Sequence, residues 1–169
     1  MRTIAPEPGP AADPALEPGP APAPALEAVP PPPGWSFRPG DPANRPQVSA
    51  PEDAAAIVRP FLAGRDRELC LLVALDTKHR LLRVSTVSVG TADHTFMAPR
   101  EIFRDALLAG ASAVFLAHNH PSGDATPSAD DRQVTRRLAQ AGSLLGVDLL
   151  DHLVVGDPGW TSLARAGVL

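Results

Sequence analysis

The stretch AVFLAHNHPSGDATPSADD, residues 113–131, decides the fold, because an apolar run leads directly into a cluster of polar residues. The run Ala113 to Ala117 has the length and composition of a buried central strand. Prolines and a glycine between positions 121 and 127 then indicate a loop. Ser128 is a typical first residue of a helix. The stretch therefore predicts a strand, a loop and a helix, with polar side chains gathered where the strand ends.

The flanking sequence predicts helices and strands on both sides of this unit. Ser49 and Glu52 have the spacing of a capping box, which places a helix start at Ser49 and its end near Pro60 and Gly64. The further predicted elements are a hairpin of strands 69–75 and 81–89, a short strand at 94–97, a helix 99–108, a long helix from 128 that ends at Gly146, and a last strand 147–155. This order argues an α/β fold in which a mixed sheet is flanked by helices.

Composition divides the chain into two parts. Residues 1–46 contain 15 of the 21 prolines and alternate Pro, Ala, Gly and Glu, a composition that buries too little apolar surface to fold. We expect a disordered Pro/Ala-rich tail over residues 1–46, in which Trp35 and Phe37 are candidates for docking on the domain or on a partner. Residues 47–169 have an ordinary composition and the length of a single domain.

Charge, hydropathy and cysteine content exclude or disfavour several classes of function. Residues 47–169 carry 12 Arg and Lys against 14 Asp and Glu, so a nucleic-acid partner has no support from a basic field. The longest apolar runs, such as residues 81–89, are far shorter than the ~20 residues that span a bilayer, and no signal peptide is recognisable. The single cysteine, Cys70, suits a reducing compartment. We expect a cytoplasmic protein without a membrane segment; its oligomeric state is not predictable.

His118 and His120 are candidate metal ligands. Side chains alternate across a strand, so residues two apart point to the same side, and both imidazoles can reach one ion. A catalytic zinc ion takes three protein ligands and a water. Asp131 is the candidate third ligand, because it lies in the first turn of the helix that follows the loop. The pattern predicts one zinc ion per chain.

Ser128 and Asp131 also allow a structural interpretation. Serine at the first position and an acid three residues later form a capping box on any helix. We expect the two interpretations to exclude each other, because an Asp131 carboxylate that faces a metal is not available to the backbone N–H of Ser128.

The motif His118-x-His120, seven residues, then Ser128-x-x-Asp131 resembles the JAMM (MPN-plus) metallopeptidase family in residue types and spacing. The strings PRE (99–101), HNHPSGD (118–124), TPSADD (126–131) and LLDHLVVG (149–156) are similar to its RadC-like branch. The resemblance covers about residues 50–169. It implies a curved mixed sheet between helices, of the cytidine-deaminase-like or JAMM architecture. It also implies a zinc-dependent hydrolase, a metallopeptidase or isopeptidase with a peptide or protein substrate, in which a zinc-bound water attacks an amide carbonyl.

The resemblance also implies two catalytic residues. The family's general base is a glutamate at the start of an upstream strand, and Glu68 matches that position; Glu101 in the PRE string is the alternative. Ser128 matches the serine that donates a hydrogen bond to the developing oxyanion. His152 is interpreted as a core residue or as a residue that supports a ligand.

Two other functions stay open. The fold also occurs as a binding module without catalysis, although intact ligands argue against this here. A DNA-repair role is suggested only by the name of the RadC branch.

Overall fold

The computed structural model describes residues 42–90 and 97–169. Trp35, Phe37 and the start of the expected strand at His94 lie outside these residues. The helices are α1 (Pro51–Leu62), α2 (Pro99–Leu108) and α3 (Ala129–Leu145), preceded by a short 3-10 helix at Pro42–Asn44. The strands are β1 (Leu69–Leu75), β2 (Leu81–Val89), β3 (Ala113–Asn119), β4 (Asp148–Val155) and β5 (Trp160–Ser162).

The five strands form one mixed sheet with the order β2-β1-β3-β4-β5. Strand β1 pairs antiparallel with both β2 and β3, whereas β3 and β4 are parallel and β5 returns antiparallel to β4. The expected hairpin and the α/β class with a mixed sheet are confirmed. Strand β5 was not expected, because three residues are too few for a recognisable alternation.

Helices cover both faces of the sheet, and β3 contributes side chains to each. Ala113, Phe115 and Ala117 belong to the core on the α1 face, and Val114 and Leu116 to the core on the α2 and α3 face. By the same alternation, His118 faces α3. Helix α3 forms the crossover between the parallel strands β3 and β4, so its first turn lies beside the end of β3.

Helix α1 does not begin with the predicted capping box of Ser49 and Glu52, so that prediction is wrong. The N-cap is Ala50, and the Asp53 carboxylate accepts the backbone N–H groups of Ser49 and Ala50 at 2.8 and 3.0 Å. Pro51 fits the first helical position because its φ is already helical and no N–H is needed there. The helix consequently begins later than predicted, and it is Asp53 rather than Glu52 that lies three residues after the N-cap.

Residues 46 and 47 are paired with the chain at the start of β2. The Pro46 carbonyl accepts the Leu81 N–H at 2.8 Å, and Gln47 forms a β-bridge with Arg80. Backbone contacts of residues 46 and 47 therefore fasten this end of the described chain to the start of β2. Within residues 42–90 and 97–169, none of the helices is long and apolar enough to cross a membrane.

Helix α3 packs closely against α2, and this contact generates a prediction for stability. A Cβ at Gly142 would collide with the Val147 carbonyl oxygen and lie 2.9 Å from a ring carbon of Phe103. We expect Gly142→Ala to lower the free energy of unfolding by about 1–3 kcal/mol, despite the better helix propensity of alanine, because a backbone group must shift. Urea denaturation would measure it. Ser143→Ala, at an exposed position of the same helix, is the control and should change stability little; equal stability of both variants would contradict the close packing.

Candidate metal centre

His118 and His120 are held where β3 ends. His118 pairs with Cys70 on one neighbouring strand and with Val154 on the other, and it is 1% exposed. The His120 N–H donates to the Val155 carbonyl at 2.9 Å. Backbone pairing on both sides therefore fixes the two histidines before any ligand is present.

The loop after His120 folds tightly against the end of β4. Gly123 has φ of +83°, a conformation that favours glycine, and its carbonyl accepts the Asp157 N–H at 2.8 Å. A Cβ at Gly156 would collide with that same carbonyl. The two glycines allow the close approach, and the loop brings the chain back to Ser128, the N-cap of α3.

The three predicted metal ligands converge on one point. The Nε2 atoms of His118 and His120 lie 3.1 Å apart. Asp131 Oδ1 lies 3.2 Å from His118 Nε2, and Asp131 Oδ2 lies 3.4 Å from His120 Nε2. The side chains of His118 and Asp131 are 1% and 8% exposed, and that of His120 is 15% exposed. One ligand atom from each residue lies within 4.8 Å of the others, as a shared metal ion requires.

The hydrogen bonds of this cluster favour a cation. The Nδ1 of His120 lies 2.7 Å from the Asp124 carbonyl oxygen, which can only accept, so His120 carries a hydrogen on Nδ1. A neutral His120 then has a bare lone pair on Nε2. The Asp131 carboxylate is also an acceptor. Two acceptor groups face each other across the cluster, and a proton or a metal ion must lie between them to make the arrangement favourable.

Asp131 serves as a helix cap and faces the histidines at the same time. Its Oδ2 accepts the Ser128 N–H at 2.8 Å and the Ser128 hydroxyl at 2.6 Å, while Ser128 Oγ accepts the Asp131 N–H at 3.0 Å. The expectation that the capping and ligand arrangements exclude each other is therefore wrong. A carboxylate has two oxygens and about four lone-pair sites, enough for both. The capping box aims Asp131 at the histidines.

Electrostatics within the cluster follow from these contacts. Burial raises the pKa of Asp131, but hydrogen bonds with His118 and His120 outweigh it and hold that pKa well below its usual range. The hydrogen bond with Asp131 raises the pKa of His120. The cluster therefore retains a proton at His120 in the metal-free protein more readily than an isolated histidine would.

His152 and Thr135 surround His118 on its other side. His118 Nδ1 lies 2.9 Å from His152 Nε2, and His152 Nδ1 lies 2.7 Å from the Thr135 hydroxyl. Complete burial lowers the pKa of His152 to about 3. His152 is therefore neutral, and its ring contacts the candidate ligand His118. Thr135 was missed, although it lies four residues after Asp131 and so on the same helix face.

Glu68 immediately precedes β1, at the edge of the sheet where the histidines lie. The Asn119 side chain accepts the Leu69 N–H at 2.8 Å and donates to the Arg67 carbonyl at 3.0 Å, which ties the backbone around Glu68 to the residue between the two histidines. The negative charge of Glu68 contributes to the raised pKa of His120. Glu68 therefore acts electrostatically on His120, one of the three candidate ligands. The role of Asn119 had no clear sequence signal.

Glu101 has different surroundings. It lies in the first turn of α2, where its carboxylate is 3.0 Å from Arg100 and 4.0 Å from Arg104. Its side chain is 38% exposed. Glu101 therefore forms surface ion pairs on its own helix.

A cavity of about 320 Å³ adjoins His120. It lies between the end of α1, the loop after β3 and the end of β4, and is lined by residues 62–65, 119–123 and 155–157. Carboxyl ends of neighbouring parallel strands are a usual place for ligand sites in α/β proteins.

The protein is an α/β domain with a candidate mononuclear metal centre. Two histidines of this centre lie at the end of the central strand β3. The model of the RadC-like JAB domain matches residues 48–168, and the chain belongs to this family. Curated relatives carry the name UPF0758 protein. Those from Desulfitobacterium hafniense, Rubrobacter xylanophilus and Moorella thermoacetica are 43%, 44% and 44% identical over 129, 125 and 126 residues. These matches cover 76%, 74% and 75% of this chain and 57%, 55% and 55% of the relatives. The chain thus spans little more than half their length, and their names state no activity.

The proton held at His120 makes the stability of the metal-free protein depend on pH. Because the folded-state pKa of His120 is raised, its stabilisation is fully present below the unfolded value of about 6.5 and is lost as pH rises through the folded pKa. Asp131, with a lowered pKa, contributes above about pH 4 and loses its contribution in stronger acid. His152, whose pKa is lowered to about 3, acts in the opposite direction and costs stability below about pH 6.5, so the test compares two proteins that both contain it. In the presence of a chelator, we expect the melting temperature at pH 5.5, relative to that at pH 8.5, to be higher in the wild type than in His120→Gln. The same difference in both proteins, measured by calorimetry, would contradict the pairing.

Proposed function

We propose that this chain is a zinc-dependent hydrolase that cleaves amide or isopeptide bonds in peptide or protein substrates. The observation that carries the proposal is the convergence of His118, His120 and Asp131, whose ligand atoms lie within 4.8 Å of one another. Membership of the JAB domain family, which includes hydrolases, supports the same reaction class.

Zinc fits the donor set better than calcium or magnesium does. Two imidazoles and one carboxylate are typical ligands of catalytic zinc, whereas calcium and magnesium prefer oxygen donors. Three protein ligands also match the number used where one position stays open for water or substrate. Bound zinc would supply Lewis acidity and a water whose pKa falls to about 7.

Glu68 is our candidate for the general base. A general base must take a proton from the attacking water and pass it to the leaving amine, so it has to lie beside the ligands without binding the metal itself. Glu68 meets this requirement through its position before β1 and through its charge, which acts on His120. Glu101 is the weaker candidate because its carboxylate is engaged by Arg100 and Arg104.

Ser128 is our candidate for the donor to the developing oxyanion. Its hydroxyl donates to Asp131 Oδ2, and the Ser128 N–H donates to the same oxygen. Because the N–H bond keeps Asp131 in place by itself, the hydroxyl is free to turn about its Cβ–Oγ bond towards a substrate. Loss of a single such donor lowers the rate by about 10²–10³-fold in other hydrolases.

The cavity beside His120 provides room for part of a substrate next to this one candidate ligand; His118 and Asp131 do not line it. Arg65 and the loop residues 121–123 are among the residues that line it, and the lining is more polar than apolar. A polar lining of this kind suits a peptide, whose backbone needs hydrogen-bond partners when it leaves water.

Glu68→Gln separates catalysis from metal binding. We expect the rate of hydrolysis of an internally quenched peptide library to fall by at least about 10²-fold, because the proton acceptor is removed, while the bound zinc stays unchanged. Activity on the library and zinc content of the same preparations are the two measurements. Glu101→Gln is the matched control, with the same chemical change, and should keep its activity.

Either of two results would overturn this assignment. Full activity in Glu68→Gln, together with loss of activity in Glu101→Gln, would show that Glu101 in α2 is the general base. A zinc-loaded wild-type protein that cleaves neither the peptides nor isopeptide-linked peptides would favour a binding module with an intact metal site.

A further inference from the structure

A continuous chain of hydrogen bonds runs behind the metal ligands, from β3 through β4 to α3. It passes from His118 Nδ1 to His152 Nε2, from His152 Nδ1 to Thr135 Oγ1, and from Thr135 Oγ1 to the Asp131 carbonyl oxygen. His118, His152 and Thr135 are each 1% exposed or less. Water therefore has little access to these groups, and each depends on the others for its hydrogen bonds.

The hydrogens in this chain can be assigned from its end. The Asp131 carbonyl is only an acceptor, so the single hydroxyl hydrogen of Thr135 points to it. Thr135 Oγ1 must then accept from His152, which places the His152 hydrogen on Nδ1. A neutral His152 has its lone pair on Nε2, so His118 has to donate from Nδ1. The remaining lone pair of His118 is on Nε2, the atom that faces His120 and Asp131.

We propose that His152, oriented by Thr135, is a positioning residue that holds His118 in the tautomer required for metal binding and couples that histidine to the helix turn of Asp131. This inference rests on the proposed metal site and assigns two residues to it. The two ring nitrogens of His152 contact His118 and Thr135, so the ring acts on the proposed site through His118.

The neighbouring acid does not provide an alternative partner for the His152 ring. Both oxygens of Asp151 are occupied elsewhere: Oδ1 accepts the N–H groups of His152 and Ala164, and Oδ2 accepts the Ser162 hydroxyl. These bonds fasten β4 to β5 and the following turn. Asp151 therefore anchors the backbone of His152, and the ring stays directed along the chain from Thr135 to His118.

Tautomers observed by NMR test the inference directly. In protein labelled with nitrogen-15, the ring nitrogen shifts should show hydrogen on Nδ1 for both His118 and His152, before and after addition of zinc chloride. A coupling across the hydrogen bond should join His118 Nδ1 to His152 Nε2. Thr135→Val, which removes the acceptor without changing the side-chain shape, should leave His152 as a mixture of tautomers. Hydrogen on His152 Nε2 in the wild type would overturn the proposal.

Zinc affinity provides a second, independent readout. Competition with a chromophoric chelator should show that His152→Leu weakens zinc binding by about 10- to 100-fold, the usual effect of removing a partner behind a ligand. His152→Gln should recover most of the loss, because its side-chain carbonyl can accept from His118 Nδ1. His79→Asn, at a distant turn with positive φ that asparagine tolerates, is the control and should bind zinc as the wild type does.

Failure of this inference can be distinguished from failure of the proposed hydrolase. Equal zinc affinity of wild type and a folded His152→Leu would overturn the positioning role and leave the hydrolase intact. A full effect of His152→Leu in a protein without hydrolytic activity would support the positioning role and contradict the hydrolase. If His152→Leu does not fold, the wild-type tautomers decide the question alone.

Discussion

Two imidazole nitrogens and a carboxylate, packed within 3.4 Å of one another at the end of a buried strand, constrain the rest of this structure. Such an arrangement is unfavourable when all groups are unprotonated, because acceptors then face acceptors with little solvent between them. A proton on His120 relieves the conflict in the metal-free protein, and a divalent ion relieves it more completely. Two surrounding hydrogen bonds keep the groups from turning away: His120 Nδ1 donates to the Asp124 carbonyl, and the Ser128 N–H donates to Asp131.

The sheet and the crossover helix α3 together place these groups. Strand β3 is paired on both sides, so the position of His118 is set by two strands at once. Helix α3 is the crossover to the parallel strand β4, which brings Asp131 back over the end of β3 and places His152 behind His118. The same crossover connects ligand geometry to core packing, because Thr135 and Leu138 on α3 are completely buried. Small movements of α3 should therefore alter the metal centre.

Much of this organisation could be predicted from local sequence signals. Hydrophobic runs and breakers located β1, β2, α2 and α3, and strand alternation and the helix start predicted that His118, His120 and Asp131 lie together. Signals that depend on tertiary structure were less accessible. Strand β5 is too short to show a pattern, and its pairing with β4 follows only from the turn that precedes it. The first turn of α1 contains two adjacent acids, Glu52 and Asp53, and only the position of the N-cap at Ala50 shows which of them caps the helix.

The candidate site was predicted in part. The capping role of Asp131 together with its position facing the histidines was not predicted, because a capping box and a ligand set use the same residue types. The chain of hydrogen bonds from His118 through His152 to Thr135 joins residues of β3, β4 and α3, and no sequence spacing predicts contacts between these elements.

The most direct test of the central claim is the metal content of the purified protein, measured by elemental mass spectrometry after extensive dialysis. With His118, His120 and Asp131 as the ligands, one zinc per chain is expected, and His120→Ala and Asp131→Ala should each lose it while remaining folded. Retention of zinc by both variants would place the metal elsewhere. A folded wild-type protein that holds no metal, even after zinc has been supplied, would contradict the assignment and reduce the trio to two histidines beside a helix cap.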